Sequence, residues 1–501
     1  MSSRPWDVPM FLDAAWRVFC GQRPHNDFYS HLGALPFYVH AAGFRLCGPS
    51  VAAIPCGNVL LMGLLAPFAV WILVRRFQGF LAAVAICFVG MLMLAPRPLG
   101  DPYFFNDYAM LYNRFGEGIL FLFVISLFVP TAGTGTARRR DHLDPVVGGV
   151  LLSLLLFVKL NYFVVGCLAF AFAGGLRFVS HRGVLILLLS FFTVSVAIYA
   201  ATGISVSQMF NDMAIMAAAQ DYQRKLASIC IQGAKHSLIL LPIAAISVLV
   251  LRSCLRKRDR GFGWAFFCVN LMLAGSSLML LASNTQRNEM PLLAAAALIC
   301  IHVLWRRSRM IEPGGFGVGC YDLSVCLLLS LYFVPTMGSD FAAFRNSYSN
   351  AIRADRPNPA FRATNLRDFV FESNGPLGSE MLRYQERVAD GIALVSSQLD
   401  ANDSLCVVTF TNPYVMALGM RPQDGGAICY YYGITMARKG HPPWRRIIGD
   451  AKYLLCGEGG LDQFREIFSS QEIDVAFVLV EASVHHELYA LERSGASVTA
   501  E

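Results

Sequence analysis

Asp7 and Asp27 bracket the stretch WDVPMFLDAAWRVFCGQRPHNDFYSHLGAL near the start of the chain. Asp7 precedes an amphipathic run and has two readings. It can act as a helix N-cap, its carboxylate accepting orphan backbone N–H groups. It can equally act as a general base at a membrane face. Acidic and polar groups gathered ahead of a set of apolar helices point to chemistry at the membrane surface rather than conduction through it. Other familiar chemistries are missing from the sequence. No Gly-rich phosphate loop and no Ser/His/Asp arrangement stands out, and no CxxC pair or Cys/His cluster has zinc spacing.

The elements that must position these groups follow from composition. The 501 residues are 55% hydrophobic and only 15% charged, with a mean hydropathy of +0.49, whereas soluble domains carry roughly 25% charged residues. The chain therefore reads as a polytopic membrane protein. Its net charge of +7 comes in short basic clusters between apolar runs. That is the pattern of cytoplasmic loops and excludes a nucleic-acid partner.

Apolar runs fall at 52–74, 79–96, 116–133, 183–201, 237–251, 262–282, 290–305 and 322–337. The run 146–176 is too long for one crossing of a ~30 Å core at ~1.5 Å per residue. Arg138, Arg139 and Arg140 precede it, and Arg177 and Arg182 follow it. With both flanks cytoplasmic it must cross twice, and Lys159–Leu160–Asn161 becomes the outer turn of a tight hairpin. About ten crossings result. Arg75 and Arg76, the 252–260 cluster and Arg306, Arg307 and Arg309 lie inside. The loops 97–115, 202–236 and 283–290, and everything after about 338, lie outside. Residues 1–50 would also lie outside, yet hold no span or signal, so a first transmembrane helix missing from the start is expected.

Within 1–50, Val8, Phe11, Leu12, Ala15, Trp16 and Phe19 share one helical face, with Asp13 and Arg17 elsewhere. Leu35, Val39, Ala42 and Leu46 mark a second piece. Both suit helices lying in the interface plane. After 338 the chain reads as a small α/β domain, with strands at Leu405–Phe410, Tyr453–Cys456 and Val475–Val480 and a helix over Leu382–Leu399. Most of the 14 cysteines act as small hydrophobes. In an oxidising compartment one pair among Cys406, Cys429 and Cys456 could bridge.

The order Asp7, AAWRVFCGQRPHNDF, SHLGALPFYVHAAGFRLCG and then a long helix resembles the first external loop of GT-C glycosyltransferases. These enzymes use polyprenyl-phosphate sugars and include the protein O-mannosyltransferases and aminoarabinose transferases. The resemblance covers most of the chain as architecture, but only residues 7–50 and 101–118 as motif. It implies an acid at the head of the loop acting as base, here Asp7, and two juxtamembrane helices joined by a G-x-x-P-Y-x-D-F-like turn. Gly21, Pro24, Asp27 and Phe28 match that turn, with His25 in place of the aromatic. His31 stands where many members have a His before Pro-Pro, but Leu32 and Gly33 follow it here. Asp101 and Asp107 match a second-loop acid that orients the acceptor or, in some branches, holds a metal.

The implied reaction is transfer of a sugar from a polyprenyl-phosphate donor to an acceptor at the outer face, with inversion. A departing phosphate calls for a fixed cation. Arg114, Lys159 and Arg287 are the candidates, Lys159 above all because an ionisable group between apolar runs is seldom idle.

The expected architecture is mainly α. A first external loop occupies 1–50, a transmembrane helix bundle 51–337 and an external α/β domain 338–501. The setting is a bacterial inner (plasma) membrane with the C-terminal domain outside. Partners are membrane lipid, the isoprenoid-phosphate sugar and an acceptor glycan, lipid or protein. No metal ligand is assigned, and a divalent cation is left open. A transporter or a non-catalytic assembly protein are the alternatives. An enzyme requires Asp7, Arg114 and Lys159 to converge on one outward cavity.

Overall fold

The computed structural model describes residues 7–103, 107–131, 143–218, 222–256, 259–283, 289–308, 317–353, 358–362, 364–369, 378–430, 441–457, 459–469, 471 and 473–493. It is mainly α-helical, with a small C-terminal sheet. Helices α1 (Asp7–Phe19) and α2 (Leu35–Cys47) precede the first long apolar helix, α3 (Ala53–Val74). Then come α4 (Gly79–Leu94), α5 (Leu111–Phe128), α6 (Leu143–Val158), α7 (Leu160–Gly175) and α8 (His181–Thr202). The segment after α8 holds α9 (Val206–Ala218) and α10 (Tyr222–Lys235). The bundle is completed by α11 (Ser237–Arg256), α12 (Arg260–Ser283), α13 (Leu292–Ser308) and α14 (Gly317–Tyr332).

Each expected apolar run is a helix. Five of them, α3, α5, α8, α11 and α12, are long and apolar enough on their own to cross a membrane. The long run 146–176 breaks at Lys159, as the flanking charges required, into two 16-residue helices. At ~1.5 Å per residue each half reaches about 24 Å. The fifth helix starts at Leu111 rather than near 116. Asn113 and Arg114 look like loop residues by polarity, but both are buried on its first turn.

Helix α15 (Val334–Arg353) continues from α14 through a 43° bend and runs across position 338. Beyond it lie α16 (Gly378–Gln398), β1 (Leu405–Val408), α17 (Tyr414–Ala417), α18 (Trp444–Ile448), β2 (Tyr453–Gly457), α19 (Gly460–Ile467), β3 (Val475–Ala482) and β4 (His486–Arg493). The sheet has strand order β1-β2-β4-β3, with β1 and β2 parallel and the other pairings antiparallel. Sequence reading found three of these strands and missed β4, whose charged, alternating HELYALER lacks a continuous apolar run. The bridge expected among Cys406, Cys429 and Cys456 does not form, and all three are buried thiols. The disulfide joins Cys47 to Cys56 instead, where α2 ends and α3 begins. The short connection between those helices brings the two together.

The first of the two leading helices has no open face. Every residue of α1 from Val8 to Val18 is buried. Its apolar face packs on α2, Phe11 edge-on to His40 and Trp16 edge-on to Phe44. Its polar face meets the C-terminal domain. Arg17 Nε donates to Asp13 Oδ2 at 3.0 Å, and Arg17 Nη1 donates to the carbonyls of Gln423 and Gly425 at 3.1 and 2.8 Å. Asn412 Nδ2 donates to Asp13 Oδ1 at 3.0 Å, and Trp16 Nε1 to the Met420 carbonyl at 2.9 Å. The face read as polar is a protein interface because its charges find partners about 400 residues away.

A second buried network closes the mouth of the bundle. Asp340 on α15 accepts from Arg97 Nε at 2.9 Å and from Arg114 Nη2 at 2.8 Å, with all three side chains fully buried. Glu289 accepts from Arg97 Nη2 at 2.6 Å and from the Gly100 N–H at 3.0 Å. Removing one partner from such a network strands buried charge, at a cost of about 3–5 kcal/mol. Asp340→Ala is therefore expected to lower stability by that amount, read as a marked fall in Tm in detergent. A wild-type Tm in that variant would contradict a structural role for the network.

Candidate active site

Asp7 opens α1 and lies half-buried in its first turn. There the helix dipole favours the carboxylate form. Two phenols flank it. Tyr112 on the first turn of α5 and Tyr384 on α16 both feel the Asp7 charge. Burial, opposed by a hydrogen bond from Thr411 and reinforced by Asp7, holds the Tyr384 hydroxyl well above its ordinary range. The Tyr384 and Thr411 hydroxyls are 3.3 Å apart.

Lys159 also meets Tyr112. Its Nζ lies 4.6 Å from the centroid of the Tyr112 ring, a cation–π distance, and 3.5 Å from Asn113 Oδ1. It occupies the extended residue between α6 and α7. Burial, with Lys225 adding repulsion, pushes its ammonium down to about 7. His31 lies close by. Burial first, then the charges of Lys159 and His25, push its imidazole down to about 3, so it is neutral at physiological pH.

The backbone that carries Lys159 is set by the first loop. The Gly33 N–H donates to the Val158 carbonyl at 3.2 Å. A Cβ at Gly33 would stand 2.1 Å from the Phe157 carbonyl oxygen, so only glycine allows the loop this close to the α6–α7 turn. At the start of α7, Asn161 Nδ2 donates to Ser283 Oγ at 3.1 Å, joining the turn to the end of α12.

The Gly21–Phe28 turn takes the shape its residue types suggest, with Gly21 and His25 at φ of 95° and 70°. Asp27 Oδ2 accepts from the Arg23 backbone N–H at 2.7 Å and closes the turn. Asp27 also lines a cavity of about 560 Å³ between this turn and the C-terminal domain, together with Gln22, Arg421, Asp424 and Arg446. His25 Nδ1 lies 3.0 Å from Asp212 Oδ2, and Arg446 Nη1 donates to Asp212 Oδ1 at 2.6 Å. This buried cluster ties the first loop to α9 and α18. Neither Asp212 nor Arg446 was found by sequence reading, since each lies about 190 residues or more from His25.

Lys159 meets Tyr112, Asp7 acts on the same phenol and His31 feels Lys159, but Arg114 is committed elsewhere, so the expected convergence of Asp7, Arg114 and Lys159 on one cavity is not met. Arg114 is buried on α5, and its guanidinium is committed to Asp340 and to the carbonyls of Arg97 and Leu92. In this structure its charge serves the network with Arg97 and Asp340. Asp101 and Asp107 are not solvated loop acids, for both are buried. Asp107 Oδ1 accepts from the Ala109 N–H at 3.0 Å and shapes the turn before α5. The Asp101 carbonyl accepts from Arg97 Nη1 at 2.7 Å. Arg287 lies outside the described residues. Among the described residues no three His, Cys, Asp or Glu side chains group as metal ligands. Tyr112 is the residue that both Lys159 and the Asp7 charge act on.

No protein-family model and no curated protein sequence matches this chain. Among solved structures, it is similar to ArnT from Cupriavidus metallidurans in two crystal structures. One is the apo state and the other is bound to undecaprenyl phosphate. Each alignment covers 97% of this chain and 93% of that one, with a TM-score of 0.41 and 16% and 13% identity respectively. The functional reading therefore rests on the side chains described above.

Gly33→Ala is expected to displace the Lys159 turn and cost about 1–3 kcal/mol through overpacking. Gly63→Ala, which meets open space, should leave Tm unchanged. Equal Tm values for the two variants would contradict the close packing of loop and turn.

Proposed function

We propose that this chain is an integral membrane glycosyltransferase. It moves a sugar from a polyprenyl-phosphate donor to an acceptor hydroxyl at the outer face of a membrane, with inversion. The observation that supports this reading is that Lys159 sits against the Tyr112 ring while the Asp7 charge acts on the same phenol. An acid and a cation so arranged suit the two ends of a displacement. The resemblance of residues 7–50 to the first external loop of GT-C enzymes supports the same assignment. The Cys47–Cys56 disulfide, in the connection from α2 to α3, favours an oxidising compartment for that loop.

In the proposed step, Asp7 takes the proton of the acceptor hydroxyl as its oxygen bonds to the anomeric carbon. The bond from that carbon to the donor phosphate oxygen breaks on the opposite face. The phosphate leaves with the electron pair, and the Lys159 ammonium balances its added charge. Tyr112 holds the lysine in place through its ring, and Asn113 through its amide oxygen. The C-terminal domain contributes Tyr384, which feels the Asp7 charge, and this supports a role for the domain on the acceptor side. Acceptors with a glycan, lipid or protein hydroxyl all satisfy this chemistry.

General-base assistance is worth roughly 10²–10⁴ in rate. Asp7→Asn is expected to lose that factor in transfer from a labelled polyprenyl-phosphate sugar while expressing normally. Undiminished transfer would remove Asp7 from the mechanism.

The lysine makes a separate pH prediction. With its ammonium held down at about 7, Lys159 is charged below that pH and loses its charge as pH rises through it. A bound phosphate draws the proton back. The donor KM should therefore climb above pH 7, and Lys159→Arg, charged throughout, should flatten that rise. A wild-type donor KM unaffected by pH across this range would count against Lys159 as the phosphate cation.

A further inference from the structure

The end of the bundle away from Asp7 carries its own cavity, of about 910 Å³. It lies where α3, α5 and α13 finish and α6 and α8 begin, a full helix length from the first-loop end of α3. Its lining combines three kinds of surface.

The first is a closed ion-pair wall. Asp144 accepts from Arg76 Nη2 at 2.7 Å, from Arg75 Nη1 at 3.1 Å and from Trp71 Nε1 at 3.1 Å. Arg76 also donates to the carbonyls of Ile72, Ser126 and Val129. These charges are already spent on one another.

The second is a set of cations at the mouth. Arg182 opens α8 and Arg306 stands near the end of α13. Both are exposed, and neither makes an ion pair among the described residues. Arg307 lies beside them with its guanidinium 6.0 Å from the Phe262 ring. Asp259 is the opposing carboxylate on the rim, so the mouth keeps a positive surplus.

The third is an interior that is largely apolar, broken by the hydroxyls of Ser126, Thr131, Ser180 and Ser253 and by one imidazole. Leu187, Phe266, Val269, Ile299 and Val303 form the wall. His302, only 5% exposed, also lines the cavity, and its Nε2 has no hydrogen-bond partner. A buried polar atom left without a partner is costly unless something arrives to satisfy it.

A soluble anion would satisfy the arginines and leave the apolar wall wet. An uncharged lipid would cover the wall and leave the arginines and His302 unmet. We propose that this cavity holds an anionic phospholipid. Its phosphate sits against Arg182 and Arg306, its ester region takes a hydrogen bond from His302 Nε2, and an acyl chain lies along Leu187, Phe266 and Val303. Basic pockets between helices at one membrane surface are suited to such headgroups. The lipid would lie between α8 and α13, independently of the chemistry at Asp7.

The test is native mass spectrometry of the full chain in detergent. The protein is offered phosphatidylglycerol and phosphatidylcholine of the same acyl length in equal amounts, with inorganic pyrophosphate in a parallel arm. Two headgroup-facing arginines should give the wild type roughly a thirtyfold preference for phosphatidylglycerol. Arg182→Gln with Arg306→Gln should abolish the preference, and Val303→Trp should lower retention of both lipids. Pyrophosphate should not displace the retained lipid. Equal retention of the two lipids by the wild type overturns the proposal without recourse to any variant. So does a preference that survives the double substitution, or single Arg182→Gln and Arg306→Gln substitutions if the double variant does not fold. Displacement by pyrophosphate would make the cavity a free-anion site and would overturn it equally.

Discussion

The buried pair between Asp13 and Arg17 is the interaction on which the rest of the architecture turns. Both side chains are almost wholly excluded from solvent. An ion pair so placed is tolerable only when its remaining hydrogen-bonding groups are also met. They are met by Asn412 and by the backbone of Gln423 and Gly425. Helix α1 is therefore clamped between α2 on one side and the C-terminal domain on the other. Asp7 begins that helix, so the clamp that holds Arg17 also fixes where the leading carboxylate stands.

The cations at the other side of the site divide by how their charge is used. Arg97 and Arg114 are bound to Asp340 and Glu289 and hold the second loop, α5, α15 and the segment before α13 together. Lys159 sits instead on an aromatic face and beside an amide oxygen, at a break between two short helices. A flexible ammonium with a lowered proton affinity adapts readily to an arriving phosphate. A planar guanidinium already saturated by a carboxylate does not. The same division recurs at the far end of the bundle, where Arg76 is committed to Asp144 and Arg182 and Arg306 face the cavity.

Much of this was legible in the sequence. The apolar runs marked the bundle helices, and the arginines flanking 146–176 forced the break at Lys159. Helical spacing located α1 and α2, and short apolar runs located β1 to β3. What escaped reading has a common physical origin. The polar face of α1, the partner of Arg114 and the Asp212–Arg446 cluster all depend on contacts between residues roughly 190 to 400 positions apart. Periodicity reports which side of a helix is apolar and is silent on which charge will meet which. Arg114 therefore looked available for a ligand, and Asp13 could be assigned no partner. The disulfide escaped for a different reason, because Cys47 and Cys56 lie in apolar surroundings where cysteine usually serves as a small hydrophobe.

The central proposal is spatial: the donor phosphate is assigned to the place where Lys159 and Tyr112 meet, with Asp7 as the base. Photo-crosslinking with a polyprenyl phosphate that carries a reactive group next to its phosphate tests this directly, with labelled residues located by peptide mapping. The account predicts adducts at the α6–α7 turn and the first turn of α5, suppressed by excess unlabelled polyprenyl phosphate. Adducts confined to other parts of the chain, with none at these two segments, would contradict it.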